Sequence, residues 1–238
     1  MWKYVVMAVV LMFCMTGASA LELTVGPDLD FTINKELKCK NLGAEADYSA
    51  QYYDVKADVK LGDIITLSPK AGINTFSLTP DIKGIGEVEA NGGIGWNVGL
   101  DAEAKLLKTE YVDLSLAGEY RYSRTDIDEI GIGGIVIDNP IETILATHEW
   151  EVGLFGSKDL SQWTGLAVKP YLGVVYSDLK GRAEANLSVI SLKENISAKN
   201  HLGIRTGFTV APIENLNVGL GVKLVDETAI TGSLTYRF

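Results

Sequence analysis

Cysteine is almost missing from this sequence: two in 238 residues, too few for a disulfide framework or a four-cysteine zinc site. Positive charge is also short. There are 21 Lys and Arg against 31 Asp and Glu, a formal charge of −10. No basic stripe exists to neutralise phosphates, so no nucleic-acid partner is expected. Histidine is down to two residues. Beyond residue 20 no apolar run is long enough to cross a bilayer as a helix, which excludes a helical multi-span membrane protein. Helical periodicity does not persist in that stretch either. Disorder is excluded as well, because 47% of the residues are hydrophobic.

The one long apolar stretch is residues 1–20, MWKYVVMAVVLMFCMTGASA. Lys3 is its only charge, residues 5–13 are apolar, and Ala18 and Ala20 flank Ser19 as a small-residue cleavage site. This is the three-part pattern of a secretory signal, with an apolar part too short to stay as an anchor. Phe13 before Cys14 speaks against lipidation. Cleavage removes Lys3 and Cys14, leaving a net charge of −11 and a single thiol, Cys39. Its neighbours Lys38 and Lys40 point to a solvated loop and away from a nucleophile.

What residues 21–238 do have is strict period-two alternation. Ile94, Trp96, Val98 and Leu100 alternate with Gly95, Asn97, Gly99 and Asp101. Leu114, Leu116, Tyr120 and Tyr122 alternate with Ser115, Ala117, Glu119 and Arg121, and Val218, Leu220 and Val222 with Gly219, Gly221 and Lys223. Segments 149–154, 165–177, 202–210 and 230–238 repeat the scheme. A soluble sandwich turns the apolar face of such strands inward; a transmembrane barrel turns it to lipid and lines a narrow interior with glycine and charge. The segments span about ten to fifteen residues, as tilted membrane strands do. Their polar faces are rich in glycine, and aromatics gather near their ends, as interfacial girdles require. The fold class is therefore all-β, an antiparallel up-and-down transmembrane barrel.

Barrels of this kind keep both termini on one side and join their strands there by short turns. Counting back from Phe238 gives descending strands at 229–238, 201–211, 146–156 and 91–105, and ascending strands at 215–225, 164–178, 110–124 and 64–78. The links 79–90, 125–145 and 179–200 are long and fall on the outer side; 226–228 is short although external. Trp96, Tyr120, Tyr122, Trp150 and Tyr176 then mark the outer rim, and Tyr111, Phe155, Trp163, Phe208, Tyr236 and Phe238 the periplasmic one. Residues 21–62 supply two further strands, for ten in all; the alternative is eight strands with 21–62 as an N-terminal arm. Parity slips near Tyr52 and Tyr53, where a bulge is the simplest account.

The chain ends Leu234-Thr235-Tyr236-Arg237-Phe238. Leu234, Tyr236 and Phe238 resemble the C-terminal assembly signal of Gram-negative outer-membrane barrels, although Ser233 stands where that signal has glycine. With the alternation, the chain resembles small barrels of the OmpA, OmpX and opacity-protein type. The resemblance implies export to the bacterial outer membrane, handling by the barrel-assembly machinery, a monomer, and contact with outer-membrane lipid and lipopolysaccharide.

Chemistry is sparse. The inward-facing charges are Asp101, Glu103, Lys105, Asp113, Glu119, Arg121, Glu149, Glu151, Lys169, Arg205, Lys223 and Arg237. They fit either an ion-selective lumen or, with more weight, a salt-bridge network filling a barrel too narrow to conduct freely. His148 and His201 fall near outer strand ends, where an outer-membrane enzyme would act on lipid or peptide. Glu149 beside His148 points to the opposite face, no His-x-Ser pairing like that of lipid A deacylases is present, and no acidic pairs match the omptin proteases. Segment 125–145 is acidic but lacks the ligand ladder of a calcium loop; its isoleucines extend the strands above the membrane. The expectation is a structural or surface-interacting barrel without catalysis, cofactor or metal, with a small porin as the alternative.

Overall fold

The computed structural model describes residues 21–132, 135–138, 143–187 and 190–237. The cleavage residues Ala18 and Ala20 and the terminal Phe238 lie outside them. One antiparallel sheet contains β1 (Leu21–Cys39), β2 (Ala44–Leu61), β3 (Ile65–Ile82), β4 (Gly86–Gly92), β5 (Gly95–Lys108), β6 (Asp113–Ile132), β7 (Ile135–Asp138), β8 (Thr143–Ser157), β9 (Ala167–Leu187), β10 (Ile190–Ala198), β11 (Leu202–Ile213), β12 (Leu216–Leu224) and β13 (Glu227–Arg237). The pairs β4 and β5, β7 and β8, and β10 and β11 each continue one line, so the sheet forms ten staves. β13 pairs with β1 from Thr24↔Arg237 to Lys35↔Glu227 and closes the ring. Residues 21–61 are thus the first two staves. A single helical turn, Ser161–Thr164, fills the link before β9.

Several staves are far longer than a bilayer needs. β2 and β3 have 18 residues each, β6 has 20 and β9 has 21, where about ten suffice to cross. The long outer links expected from sequence are therefore mostly sheet: β3 turns into β4, β6 into β7 and β9 into β10 as hairpins. At the end that holds Leu21 and Arg237, the outer wall is apolar, with Leu100, Leu116, Leu154, Leu172, Leu220 and Ile230 all exposed. At the distal end the polarity reverses. Leu37, Tyr48, Phe76, Leu78, Ile127, Leu145, Leu179 and Ile196 are buried inside the ring, and Glu45, Asp47, Thr79 and Arg182 face outward.

This reversal corrects the bulge expected at Tyr52 and Tyr53. The register of β2 on β3 runs unbroken from Glu45↔Asp81 through Tyr52↔Asn74 to Leu61↔Ile65, so the side-chain parity never slips. Even positions of β2 point inward throughout, as Ala46, Tyr48, Tyr52 and Asp54 do. What changes at Tyr53 is the medium on each face. The only irregularity in this part of the wall lies in β1, between Thr32 and Lys35.

The short link at 226–228 also finds its explanation. The β12–β13 hairpin stops at the level where polarity reverses, and beyond it β1 changes partner from β13 to β10, with Leu37↔Ala198 and Cys39↔Ile196. The distal section thus closes with eight staves on top of a ten-stave section. An eight-stave ring has an interior that side chains alone can fill, which is why the distal residues build an apolar core. The hairpin tip places Val225 at φ 92° and tucks Asp226 inward. There it accepts a hydrogen bond from Ser177 Oγ and lies 3.3 Å from Lys223 Nζ.

Candidate functional site: a charged lumen beneath an apolar cap

In the ten-stave section the inward side chains form one connected lattice of charge. Lys70 Nζ lies 3.0 Å from Asp101 and 2.5 Å from Glu119. Arg121 reaches Glu119 at 3.2 Å, Asp30 at 2.8 Å and Asp54 at 3.8 Å. Arg205 joins Glu119 at 3.7 Å to Glu151 at 3.3 Å. Lys223 then links Glu151 at 2.6 Å to Glu227 at 2.8 Å, and Lys35 links Glu227 at 2.6 Å to Glu149 at 2.5 Å. Staves that are not neighbours in the wall, such as β1 and β6, are tied together across the lumen. Each cation has at least two carboxylates, the condition under which buried charge is tolerated.

Of the charges expected in the lumen, Asp101, Glu119, Arg121, Glu149, Glu151, Arg205 and Lys223 belong to this lattice. Asp113 and Lys169 form a separate pair at 3.7 Å. Arg237 meets Glu22 at 3.2 Å near the end of the barrel. Glu103 and Lys105 are exposed at the mouth and form no ion pair among the described residues. Sequence reasoning passed over Asp30, Lys35, Asp54, Lys70, Asp226 and Glu227. The signal was there in the first staves, where Asp54, Lys56, Asp58 and Lys60 alternate with Tyr53, Val55, Ala57 and Val59.

Glycine lines the lumen for a specific reason. Phe155, expected in the periplasmic girdle, points inward and meets Tyr171 edge to face with ring centroids 6.1 Å apart. A Cβ on Gly173 would stand 2.3 Å from the Phe155 ring, and one on Gly221 would stand 2.3 Å from the Tyr171 hydroxyl. Bare backbone opposite lets two aromatic rings fill the side of the lumen next to β11 and β12. Phe208 and Tyr236 do face outward and are exposed, as does Tyr111; the Trp163 side chain is not among those described.

Above the lattice, Tyr52 caps the Arg121 guanidinium, which sits 4.0 Å from its ring centroid, a cation–π contact that marks the boundary between charge and oil. Tyr48 lies over it, its hydroxyl 3.1 Å from that of Tyr52, and stacks on Phe76. Leu37, Leu78, Ile127, Leu145, Leu179 and Ile196 complete the cap. Cys39 belongs to the cap as well. The solvated loop expected for it is wrong: the β1 parity that buries Lys35 and Leu37 buries Cys39 too, at 2% exposure. Desolvation pushes its thiol up to about 11.

The outer wall at the level of reversal carries an aromatic band. Trp96 contacts Tyr122 at 5.4 Å and Trp150 contacts Tyr176 at 5.5 Å, in agreement with the outer girdle read from sequence. Both histidines sit in this band and face outward. His148 Nδ1 is 2.7 Å from the Tyr120 hydroxyl. His201 stacks on Tyr176 and donates from Nδ1 to the Ser177 carbonyl at 2.9 Å. The same His201 Nδ1 lies 3.7 Å from the Asp178 carboxylate, and among the described residues no group of three or more His, Cys, Asp or Glu has the arrangement to hold a metal.

No protein-family model matches the chain, and no curated protein matches it. Solved structures do. The translocator domain of autotransporter NalP from Neisseria meningitidis is similar over 100% of this chain and 95% of its own, with a TM-score of 0.47 and 12% identity. The outer membrane protease OmpT from Escherichia coli is similar over 92% of this chain and 96% of its own, with a TM-score of 0.47 and 12% identity. The outer membrane protein AlkL is similar over 94% of this chain and 92% of its own, at 0.44 and 13%. The barrel itself stands on the closed register described above.

Proposed function

We propose that this chain is a closed, non-conducting barrel of the bacterial outer membrane, whose role is structural and surface-interacting and not catalytic. Its apolar ten-stave wall sits in lipid, and its eight-stave section rises from the outer leaflet as a rigid, polar-coated turret. The observation that carries the reading is the apolar cap of Tyr48, Tyr52, Phe76, Leu78 and Leu145 across the lumen, directly above a lattice whose ion pairs run from wall to wall. An ion entering from the mouth would have to break paired charges and then cross a dry core, where an unpaired charge costs far more than thermal energy. A rigid section of regular hairpins, with the conserved parity of one sheet running from lipid into water, also suits a platform for contacts outside the cell. The catalytic alternative finds little support in two histidines that face the membrane boundary, one held by a tyrosine hydroxyl and the other by the Ser177 carbonyl with the Asp178 carboxylate 3.7 Å from the same nitrogen.

The refolded barrel, inserted in planar lipid bilayers, is expected to give no steady single-channel current in molar potassium chloride. A reproducible open level from correctly folded protein would replace this reading with a porin.

A further inference from the structure

Where the charged lattice meets the apolar cap, on the β2–β3–β5 side of the lumen, several buried polar groups stand without hydrogen-bond partners. One row of the register runs Asp54, Gly72, Asn97 across three staves. The Asp54 carboxylate lies over the bare backbone of Gly72, where an added Cβ would come within 2.4 Å of Oδ1. The Asp54 side chain is 1% exposed, and neither of its oxygens accepts a hydrogen bond among the described residues. Arg121 lies 3.8 Å from it but is already shared by Asp30 and Glu119. Asn97 leans toward this carboxylate and is 1% exposed, yet both ends of its amide lack a well-formed hydrogen bond. One row nearer the cap, Asn74 gives its amide nitrogen to Thr125 at 2.6 Å and leaves its oxygen without a donor. Asp28 faces Asp54 directly in the register, and like charges so placed destabilise a sheet.

We infer that this row holds a small monovalent cation of the sodium type, bound by the Asp54 carboxylate and the Asn97 carboxamide oxygen with Asn74 as a further oxygen donor. Carboxylate and carboxamide oxygens are ligands for hard cations. Water satisfies hydrogen bonds at such a place but leaves the facing charges of Asp28 and Asp54 unanswered in a lumen walled by lipid, whereas a cation does both. The donors are one carboxylate and two carboxamides, and Arg121 stands close by, so a single charge matches them and a double charge is repelled. Either end of the Asn97 amide fills the same space, so its oxygen turns to the ion without repacking. Gly72 supplies the room. The ion comes from the mouth and stops beneath Tyr52, where it ties β2 to β5 and completes the charge balance under the cap.

The test measures the rate of urea unfolding of the barrel in lipid vesicles, refolded and unfolded in the same medium. Sodium chloride is exchanged stepwise for N-methylglucamine chloride at fixed ionic strength, so that general screening stays constant. Loss of sodium is expected to speed unfolding of the wild type about ten-fold, with a saturable dependence on sodium. Asp54→Asn, which keeps the size and drops the charge, and Asn97→Leu, which removes the amide, should each unfold at a rate that no longer depends on the cation. Asp113→Asn, in the separate pair with Lys169, should keep the full dependence. A wild type indifferent to the exchange means that water alone fills the row, and overturns the inference. A sodium dependence that survives unchanged in either Asp54→Asn or Asn97→Leu places the ion elsewhere and overturns it too. Stabilisation by magnesium chloride as strong as that by sodium chloride at equal ionic strength would overturn the assignment of single charge. Folding of every variant is checked by heat-modifiable mobility in gels; if one variant fails to fold, the other and the exchange on the wild type decide.

Discussion

Strand β3 holds two environments in one stretch of backbone. From Ile65 to Ile73 its outward residues are Ile65, Leu67, Pro69, Ala71 and Ile73, and its inward ones include Ser68 and Lys70. From Asn74 to Ile82 the outward residues are Thr75, Ser77, Thr79 and Asp81, and Phe76, Leu78 and Ile82 turn inward. Parity and hydrogen bonding are the same in both halves. The proximal half obeys the rule of a membrane barrel, with polar groups lining the inside, and the distal half obeys the rule of a soluble sheet. Periodicity reports the strand, and the medium decides which face is which.

Matched truncations test whether the two interiors are held by different forces. Arg121→Met removes the cation that answers Asp30, Asp54 and Glu119, and stranding buried partners costs about 3–5 kcal/mol. Phe76→Ala empties the cap next to Tyr48 and should also cost about 3–5 kcal/mol, here as transfer and cavity terms. Reversible denaturant unfolding in lipid vesicles measures both. The division sharpens if Asp30→Asn, which removes one stranded carboxylate, recovers part of the loss in Arg121→Met and none of that in Phe76→Ala. It breaks if Asp30→Asn acts alike on both.

The outer faces make the next test. Leu220→Arg places charge on the apolar wall and should cost about 2–4 kcal/mol near the midplane. Ser77→Arg places the same side chain on the same face of the sheet beyond the reversal, and should stay within about 0.5 kcal/mol of the wild type. Equal costs would mean that lipid does not end where the polarity does.

The ring, the ten staves and the aromatic band were legible because alternation is a local signal, and it survives wherever one face is apolar. The eight-stave closure was not legible. It depends on β1 exchanging β13 for β10 beyond Lys35, a contact between residues more than 150 positions apart that no local pattern encodes. The same limit explains Phe155 and Cys39. Phe155 was assigned to a girdle by its place near a strand end, but its parity with Glu149 and Glu151 puts it in the lumen. Cys39 was assigned to a loop by its lysine neighbours, which are the outward residues of a strand that continues into water. The lattice was half visible: the charges on β5, β6, β8 and β12 stood out against glycine, whereas Lys35, Asp54 and Lys70 lay in staves whose polarity reverses midway and masks the pattern.

The smallest effect expected is a chemical one at Cys39, and it reads the distal interior directly. A free thiol near pKa 8.5 is roughly a quarter thiolate at pH 8, but burial against Ile196 and Ala44 pushes the Cys39 thiol up to about 11. The reactive fraction then falls on the order of a hundred-fold, before any loss of access is counted. In a chain that begins at Leu21, Cys39 is the sole cysteine, so labelling by a small alkylating reagent has one site to report. Its rate should be at least a hundred-fold below that of the unfolded chain, and should rise toward that value only at the denaturant concentration that opens the distal section. Labelling of the folded barrel at the rate of a free thiol would mean that water reaches the cap, and that the turret is no drier inside than the lumen beneath it.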